Sequence, residues 1–528
     1  MQSKQKVEPD GAVSEALLEH IKVLASDELQ GRAPGTAGEE RTKEYLAECC
    51  RQIGLDSAVD DGSYFQKMPV VGVVGKPEIV FESGSGKFSP DFPDAFVGQS
   101  KHLEKLVSGD ETSVVFAGYG IEAPEYGWND FEGVDVRGKT VVVLIGQPER
   151  PDAEEPGKLD ESFFKGRALT YYGRWTYKYE KASEMGAAAV LIVHDDRKAG
   201  YGYDVVRSSW TGENYQLTCP DERVLLEGWL SYDSAVKLFE MSSLDFDKLK
   251  EEAGRPGFKA RTLKAKCSFK VQNAIRRFES SNVIAKIEGQ DPTLKNETIV
   301  YSAHWDHFGI KEKDGRTDVY SGAVDNGSGV AMTLEIARRF KNLKKAPSRT
   351  ILFLFTTLEE SGLLGAEHYV KEPAMPLEST IAIINMDVMN VWGRTEEIVS
   401  IATGHSSLDQ LLSDCAASQG RRVVPDPEPE KGYFFRSDHL AFLQKGIPAL
   451  FFLFPGSCFR DKPSDFGRRI RTDYIVNDYH KPSDKVKDDW DLSGAAEDVE
   501  LLFSVGEILS EGENKPSWNP QSEFADCK

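Results

Sequence analysis

Imidazoles and carboxylates follow several apolar runs of this sequence, at the point where each run ends. The run "IVYSA" leads into His304, "ILFLFTTL" leads into Glu359 and Glu360, and "IAIINM" leads into Asp387. Imidazole nitrogens and carboxylate oxygens are common ligands of zinc in proteins. If the apolar runs are strands of one sheet, these side chains meet at one edge and predict a zinc site.

Two further segments add to this set. Asp325 lies in the Gly-rich loop "SGAVDNGSG" before a helical pattern, and His480 lies in "NDYHKPSD". Taken alone, Asp325 is typical of a helix N-cap and His480 of a surface loop; together with the other residues they favour a metal. A carboxylate on a tight Gly-flanked loop can approach two ions, which suits Asp325 as the bridging ligand of a two-zinc site.

Neighbouring side chains of the set have separate predicted tasks. Asp306 lies two residues after His304, and Asp484 lies four after His480, so each carboxylate could accept the second ring N–H of its histidine. Adjacent glutamates at a strand end point in different directions. One of the pair can therefore bind metal while the other acts on water as a general base.

The elements that must position these residues follow a regular pattern. From "SNVIAKIEG" onward, near-continuous apolar strands alternate with amphipathic helices, as in "ETIVYSA" followed by "GVAMTLEIARRFKNL". This alternation predicts an α/β fold, a mostly parallel mixed sheet with helices on both faces. Ligands of such sheets bind at the carboxyl ends of the strands. Residues 114–268 have a different character and predict a separate β-rich module with few helices.

Length and charge limit the classes of function. The chain has 528 residues and a formal net charge of −22, which argues against nucleic acid and anionic membranes as partners. No apolar run approaches the roughly 20 residues of a spanning helix, so no membrane span is predicted. The first residues lack an apolar signal core. We expect a periplasmic or secreted protein if a signal peptide has been removed, and a cytoplasmic one otherwise.

The motifs "SAHWDH", "SGAVDNGSG", "LEESGLLGAEHY", "NMD" and "DYHKPSD" occur in this order between Ser302 and Asp484. As an ordered set they resemble the co-catalytic zinc exopeptidases, which include bacterial leucyl aminopeptidases, glutamate carboxypeptidase and the transferrin receptor ectodomain. The segment beginning "GYGIEAPEYGWNDFEG" resembles the protease-associated domain often inserted in these enzymes. The resemblance implies three parts: an N-terminal peptidase segment (1–113), the inserted domain (114–268) and the main zinc peptidase domain (269–528).

Carried over by motif position, the resemblance implies two zinc ions per chain. The implied metal ligands are His304, Asp325, Glu360, Asp387 and His480. Asp325 would bridge the ions, with His304 and Asp387 on one ion and Glu360 and His480 on the other.

The resemblance also implies roles outside the ligand set. Glu359 would be the general base. Tyr479 matches a position where some relatives place a tyrosine that hydrogen-bonds the developing oxyanion. The segment "FFRSDHLAF" resembles a part of the family near the substrate cleft, so Ser437, Asp438 and His439 are candidate pocket or supporting residues.

The function implied is an aminopeptidase that removes N-terminal residues from peptides. A carboxypeptidase of the same family would need cationic side chains for the free carboxylate; the candidates are Arg436, Arg468, Arg469 and Arg471. The segment after Asp484 is too short for the C-terminal helical domain of glutamate carboxypeptidase, which favours the aminopeptidase. Two competing functions are a glutaminyl cyclase, which uses one zinc, and a non-enzymatic receptor-like protein. Oligomeric state and side-chain preference stay open.

Overall fold

The computed structural model describes residues 10–218, 223–313, 315–512 and 515–525. The chain divides into two compact units. Unit 1 comprises residues 1–68, 279–427 and 433–528, and unit 2 comprises residues 69–278 and 428–432.

A mostly parallel sheet forms the centre of unit 1. Its strands are β1 (the 283–287 end of Arg261–Ile287), β2 (Thr298–His304), β3 (Thr350–Thr356), β4 (Thr380–Asp387) and β5 (Ala449–Leu453). They are ordered β5-β4-β2-β3-β1. Strands β2 to β5 run parallel to one another, and β1 is antiparallel to β3. The carboxyl ends of four parallel strands therefore lie at one edge.

The apolar runs of the sequence become strands because every residue of β2, β3, β4 and β5 is buried. Burial on both faces requires helices on both faces. Tyr301 donates a hydrogen bond to the carbonyl of Leu502 in a helix on one face. Its neighbour Ser302 points to the other face, where its hydroxyl binds Asn385. The predicted α/β fold class is confirmed.

The helices of unit 1 agree with the amphipathic patterns in the sequence. Thr36 caps the helix Ala37–Ile53 by accepting a hydrogen bond from the amide of Gly38, and Gly54 ends that helix at φ 83°. No helix among the described residues is long and apolar enough to cross a bilayer. The helices are Asp10–Leu24, Ala37–Ile53, Gly329–Lys341, Leu364–Lys371, Leu408–Ser418, His439–Leu443, Phe466–Asn477 and Ser493–Glu511.

Unit 2 has its own set of strands and its own hydrophobic core. The parallel strands Leu106–Phe116, Thr140–Leu144, Ala189–Val193 and Leu226–Leu230 are neighbours in that order, and Phe96–Gln99 pairs antiparallel with the last of them. The helices of this unit are Trp175–Glu184, Asp196–Ala199, Tyr203–Ser209, Tyr232–Glu240 and Phe246–Ala253. The module is thus a sheet with several helices, and it carries more helix than the predicted β-rich module.

The second unit begins at Pro69 and ends at Phe278, which differs from the predicted boundaries 114 and 268. The physical reason is strand pairing. Within unit 2, residues 70–74 pair with 213–217, and residues 96–99 pair with 227–230. The segment that precedes residue 114 therefore supplies strands to unit 2.

Candidate metal centre

The residues predicted to bind metal lie at the carboxyl edge of the unit 1 sheet. His304 and Asp387 are the last residues of β2 and β4. Glu359 and Glu360 follow β3, and Asp325 lies in the turn Ala323–Ser328 before a helix. His480 lies in the loop after the helix Phe466–Asn477.

Asp325 contacts two histidines that come from separate segments. Its Oδ1 lies 3.3 Å from Nε2 of His304, and its Oδ2 lies 3.1 Å from Nε2 of His480. Oδ1 of Asp387 also lies 3.3 Å from Nε2 of His304, and Oε2 of Glu360 lies 3.2 Å from Nε2 of His480. The five side chains therefore form two groups, one around His304 and one around His480, and Asp325 belongs to both groups.

The two adjacent glutamates diverge, as expected for neighbours at a strand end. Oε2 of Glu359 lies 3.9 Å from Nε2 of His304, whereas Glu360 turns to His480 and His307. Tyr479 stacks its ring on His480 at 3.8 Å between centroids. Burial raises the pKa of Tyr479 well above its ordinary value, and carboxylates of the cluster add to this shift. The tyrosine hydroxyl is thus a neutral donor beside the cluster.

The cluster concentrates negative charge in a buried place. Burial raises the pKa of Glu360 to about 8, against the opposing effect of His480, and Asp325 adds to the rise. Burial also raises the pKa of Glu359 well above its ordinary value. Burial would raise the pKa of Asp325 too, but contacts with His304 and His480 hold it well below its ordinary value. Carboxylates that repel one another in a buried site are stabilised by cations, so the cluster suits metal ions.

Asp306 and Asp484 support the cluster in ways that differ from their predicted pairing with histidines. Oδ1 of Asp306 accepts the amide hydrogen of Glu359 at 3.1 Å, while Nδ1 of His304 contacts the Asp306 backbone carbonyl at 3.2 Å. The Asp306 carboxylate itself lies 3.7 Å from that ring nitrogen.

Asp484 holds the loop of Asp325. Its two carboxylate oxygens accept the amide hydrogens of Val324 and Asp325, each at 3.0 Å. Asp484 also accepts a hydrogen bond from the Tyr474 hydroxyl at 3.2 Å, and the hydrogen bond from His480 to Asp484 stays a prediction. A β-turn-like loop exposes consecutive amides, and a carboxylate satisfies both at once.

Arg32 is a supporting residue to which the sequence assigned no role. Its guanidinium is fully buried and donates to four backbone carbonyls. The acceptors are Trp305 at 2.7 Å, Leu24 at 2.6 Å, Ser321 at 2.6 Å and Gly322 at 2.9 Å. Three of these carbonyls, those of Trp305, Ser321 and Gly322, belong to the segments that carry His304 and Asp325, so Arg32 joins the two segments.

His307 is a second supporting residue that the sequence does not single out. Its Nδ1 lies 2.6 Å from Oε1 of Glu360. One potential metal-binding atom from each of three residues, His307, Asp325 and Glu360, lies within 4.8 Å of the other two. Burial lowers the pKa of His307 to about 3. A neutral imidazole donates through Nδ1 to a carboxylate, which orients Glu360 toward His480.

Of the three candidate pocket residues, two contact the cluster or its strands. The Ser437 hydroxyl donates to Oδ2 of Asp387 at 3.1 Å and accepts from Asn385 at 2.8 Å. Asp438 accepts a hydrogen bond from Thr356, and burial raises its pKa to about 7. His439 stacks on Phe451 at 4.1 Å between centroids, which makes it a packing residue.

A parallel sheet with a buried histidine–carboxylate cluster at its carboxyl edge is typical of an α/β metallohydrolase. Residues 282–504 match the model of peptidase family M28, and all of the predicted ligands lie within this range. This match covers less than half of the chain, and it confirms the resemblance carried by the motifs. The match supports the predicted dependence on zinc.

Among curated relatives, the vacuolar membrane protease of Lachancea thermotolerans is 34% identical over 182 residues, covering 34% of this chain and 17% of that protein. The vacuolar membrane protease of Vanderwaltozyma polyspora is 36% identical over 96 residues, covering 18% of this chain and 9% of that protein. The chain therefore spans less than a fifth of the length of these relatives.

Solved structures of similar fold include an aminopeptidase from Aneurinibacillus sp. strain AM-1, with 18% identity, 97% of this chain and 99% of that chain covered, and a TM-score of 0.49. The zinc aminopeptidase BSAP from Bacillus subtilis has 17% identity, 97% coverage of both chains and a TM-score of 0.45.

Proposed function

We propose that the chain is a zinc-dependent exopeptidase that removes N-terminal residues from peptides. One observation carries the proposal: the two carboxylate oxygens of Asp325 face two histidines, and each histidine has a second carboxylate of its own. This is the ligand arrangement that two metal ions with one bridging carboxylate require. The match of residues 282–504 to the model of a peptidase family supports the reaction class.

The residues present fit zinc. His304, Asp325 and Asp387 offer three ligand atoms within 4.8 Å of one another, and all three residues are buried. His480 and Glu360 would bind the second ion together with Asp325. Zinc bound by these side chains supplies Lewis acidity, which polarises a carbonyl group and lowers the pKa of water. Imidazole and carboxylate donors are the set that zinc accepts in such catalytic centres.

The side chains of the cluster would handle the protons of the reaction. Glu359 lies 3.9 Å from His304, whereas the adjacent Glu360 points toward His480 instead. The carboxylate of Glu359 is therefore available to take a proton from the attacking water. Glu359 would then return this proton to the leaving amine. The hydroxyl of Tyr479, beside His480, would donate a hydrogen bond to the oxygen that gains negative charge in the transition state.

One peptide in three forms tests the direction of cleavage. The zinc-loaded protein is incubated with a mixed-sequence peptide that has both termini free, an acetylated N-terminus or an amidated C-terminus, and mass spectrometry identifies the products. We expect sequential loss of N-terminal residues that acetylation alone prevents. Loss from the other end, prevented by amidation alone, would make the chain a carboxypeptidase.

Glu359→Gln tests the assignment of the general base. We expect this variant to bind zinc with the stoichiometry of the parent and to lose about 10²–10⁴-fold in kcat. Glu378→Gln is the matched control, since Glu378 is exposed and precedes β4 at its amino end. Activity of Glu359→Gln within threefold of the control would show that another group takes the proton.

Zinc content separates the peptidase from the two competing functions. A stoichiometry near two favours the peptidase, a value near one favours glutaminyl cyclase, and none favours a non-enzymatic binding protein. Arg471, one candidate cation for a carboxypeptidase, is packed over the rings of Phe454 and Tyr433 at 4.6 and 5.4 Å. We also propose that unit 2 is the protease-associated domain, and that the protein is periplasmic or secreted if a signal peptide has been removed and cytoplasmic otherwise.

A further inference from the structure

A hairpin places aromatic residues next to His480. The strands Gly309–Lys313 and Arg316–Tyr320 pair antiparallel. Phe308 precedes this hairpin, and its ring lies 4.7 Å from the His480 ring and 6.1 Å from the Tyr320 ring. The hairpin, all of it within unit 1, therefore adjoins one of the proposed metal ligands.

Lys311 extends over both aromatic rings. Its Nζ lies 4.6 Å from the centroid of Phe308 and 4.7 Å from that of Tyr320. Asp318 is directly opposite Lys311 in the hairpin register, which is the usual position for a cross-strand ion pair. Within the described part of the chain, however, Lys311 forms no ion pair with Asp318 or with any other acid. The ammonium instead lies over the rings of Phe308 and Tyr320, and the Phe308 ring in turn contacts His480.

The surroundings of Lys311 favour an anion. Burial lowers its pKa, and Glu360 acts in the opposite direction, so the lysine lies within the field of the metal centre. Stacking on rings leaves N–H groups of the ammonium available to a further partner. Lys311 is exposed, so a carboxylate of a bound peptide could reach its ammonium and would gain a charge-assisted hydrogen bond there.

Building on the proposed function, we propose that Lys311 is a specificity-determining residue that binds a carboxylate of the peptide substrate. The carboxylate comes either from the free C-terminus of a short peptide or from an acidic side chain. Phe308 and Tyr320 hold the ammonium in place beside the site of cleavage. The substrate class is therefore N-unblocked peptides that carry a carboxylate near the cleaved bond.

Four peptides that share one N-terminal residue test the proposal. A neutral tripeptide is used with a free C-terminus and with an amidated one, and two amidated tripeptides carry Asp or Asn at the same position. Each is assayed with the zinc-loaded parent, Lys311→Met, Lys311→Glu and Lys345→Met. Lys345→Met is the control, because it removes the same charge from the segment before the amino end of β3, whereas the site lies at the carboxyl edge.

For the parent and for Lys345→Met, we expect kcat/KM to be roughly three- to tenfold higher for the peptide with a carboxylate than for its neutral counterpart. Lys311→Met should abolish this preference, and Lys311→Glu should reverse it. If the peptide with a free C-terminus is preferred over the amidated one, the bound carboxylate is the C-terminus. If the Asp peptide is preferred over the Asn peptide, the bound carboxylate is the side chain. Equal preference in the parent and Lys311→Met would overturn the proposal.

A binding measurement keeps the result independent of turnover. Calorimetry with the zinc-loaded Glu359→Gln protein, with and without Lys311→Met, gives Kd for the same peptides. If Lys311 decides the carboxylate preference in Kd but no peptide is cleaved by the parent, the proposed peptidase function fails and the carboxylate subsite stands. If peptides are cleaved and Kd does not respond to Lys311, the subsite fails and the peptidase stands.

Discussion

Replacing Arg32 by methionine is expected to destabilise unit 1 strongly. The fully buried guanidinium donates to four backbone carbonyls, those of Leu24, Trp305, Ser321 and Gly322. Methionine retains much of the apolar stem but removes the donor from three of these acceptors, whereas the Gly322 carbonyl keeps the amide of Gly327 at 3.1 Å. At about 1 kcal/mol for each of the three acceptors, the lower end of the usual range, the loss is about 3 kcal/mol.

The assay is urea unfolding in the presence of EDTA, so that bound metal contributes nothing to stability. Tryptophan fluorescence and circular dichroism report the transition, and the free energy of unfolding is extrapolated to water. Arg41→Met is the matched control, because Arg41 is exposed and donates to one exposed carbonyl, that of Glu28. We expect the control to change the free energy of unfolding by less than about 0.5 kcal/mol.

Arg32→Lys separates charge from geometry. Lysine keeps the positive charge but lacks the planar fork that reaches carbonyls from three chain segments, so we expect it to recover less than half of the lost stability. A loss below about 1 kcal/mol in Arg32→Met would refute the reasoning, since the carbonyls of Leu24, Trp305 and Ser321 would then find other donors. Full recovery in Arg32→Lys would show that charge alone matters.

Three further predictions concern other buried polar groups. Asp484→Asn should weaken zinc binding by about 10–100-fold in calorimetry, because its NH2 group would face one of the two backbone N–H groups that the carboxylate oxygens accept. The exposed Asp488→Asn should not weaken it. Ser437→Ala removes a hydrogen bond to Asp387 and should weaken zinc binding by up to about tenfold; an unchanged Kd would contradict this. Burial lowers the pKa of Lys178 from 10.5 to about 7, so the unfolded state binds more protons within that range and stability should rise with pH there. Lys178→Met should remove this rise in urea unfolding at pH 7 and pH 9.

The sheet of unit 1 could be predicted because its strands are buried on both faces. Such strands appear in the sequence as continuous apolar runs, and their ends mark where ligand residues begin. The strand Phe65–Ser83 is different: buried and exposed residues are mixed along it. A strand of this kind has no continuous apolar run, and this is why the predicted boundary at residue 114 lies too far along the chain.

The site could be predicted as far as residue types and strand ends allow. Its supporting contacts could not, because they join backbone groups to side chains that are distant in the sequence. Arg32 binds carbonyls 273 to 290 residues further along the chain, apart from that of Leu24. No local pattern around Arg32 indicates such partners. Sequence distance alone favours a pairing of Asp484 with His480, but in the structure Asp484 binds the amides of the Asp325 loop.

Arg32 and Asp484 act on the same loop with opposite charges. Arg32 binds the carbonyls of Ser321 and Gly322, while Asp484 binds the amides of Val324 and Asp325. A cation satisfies backbone acceptors and an anion satisfies backbone donors, so consecutive peptide groups are fixed from both sides. The carboxylate of Asp325 is thereby oriented by protein contacts that do not involve metal. Because the loop is already ordered, less of the binding free energy of zinc is spent on ordering it, and the bridging position is set by the fold.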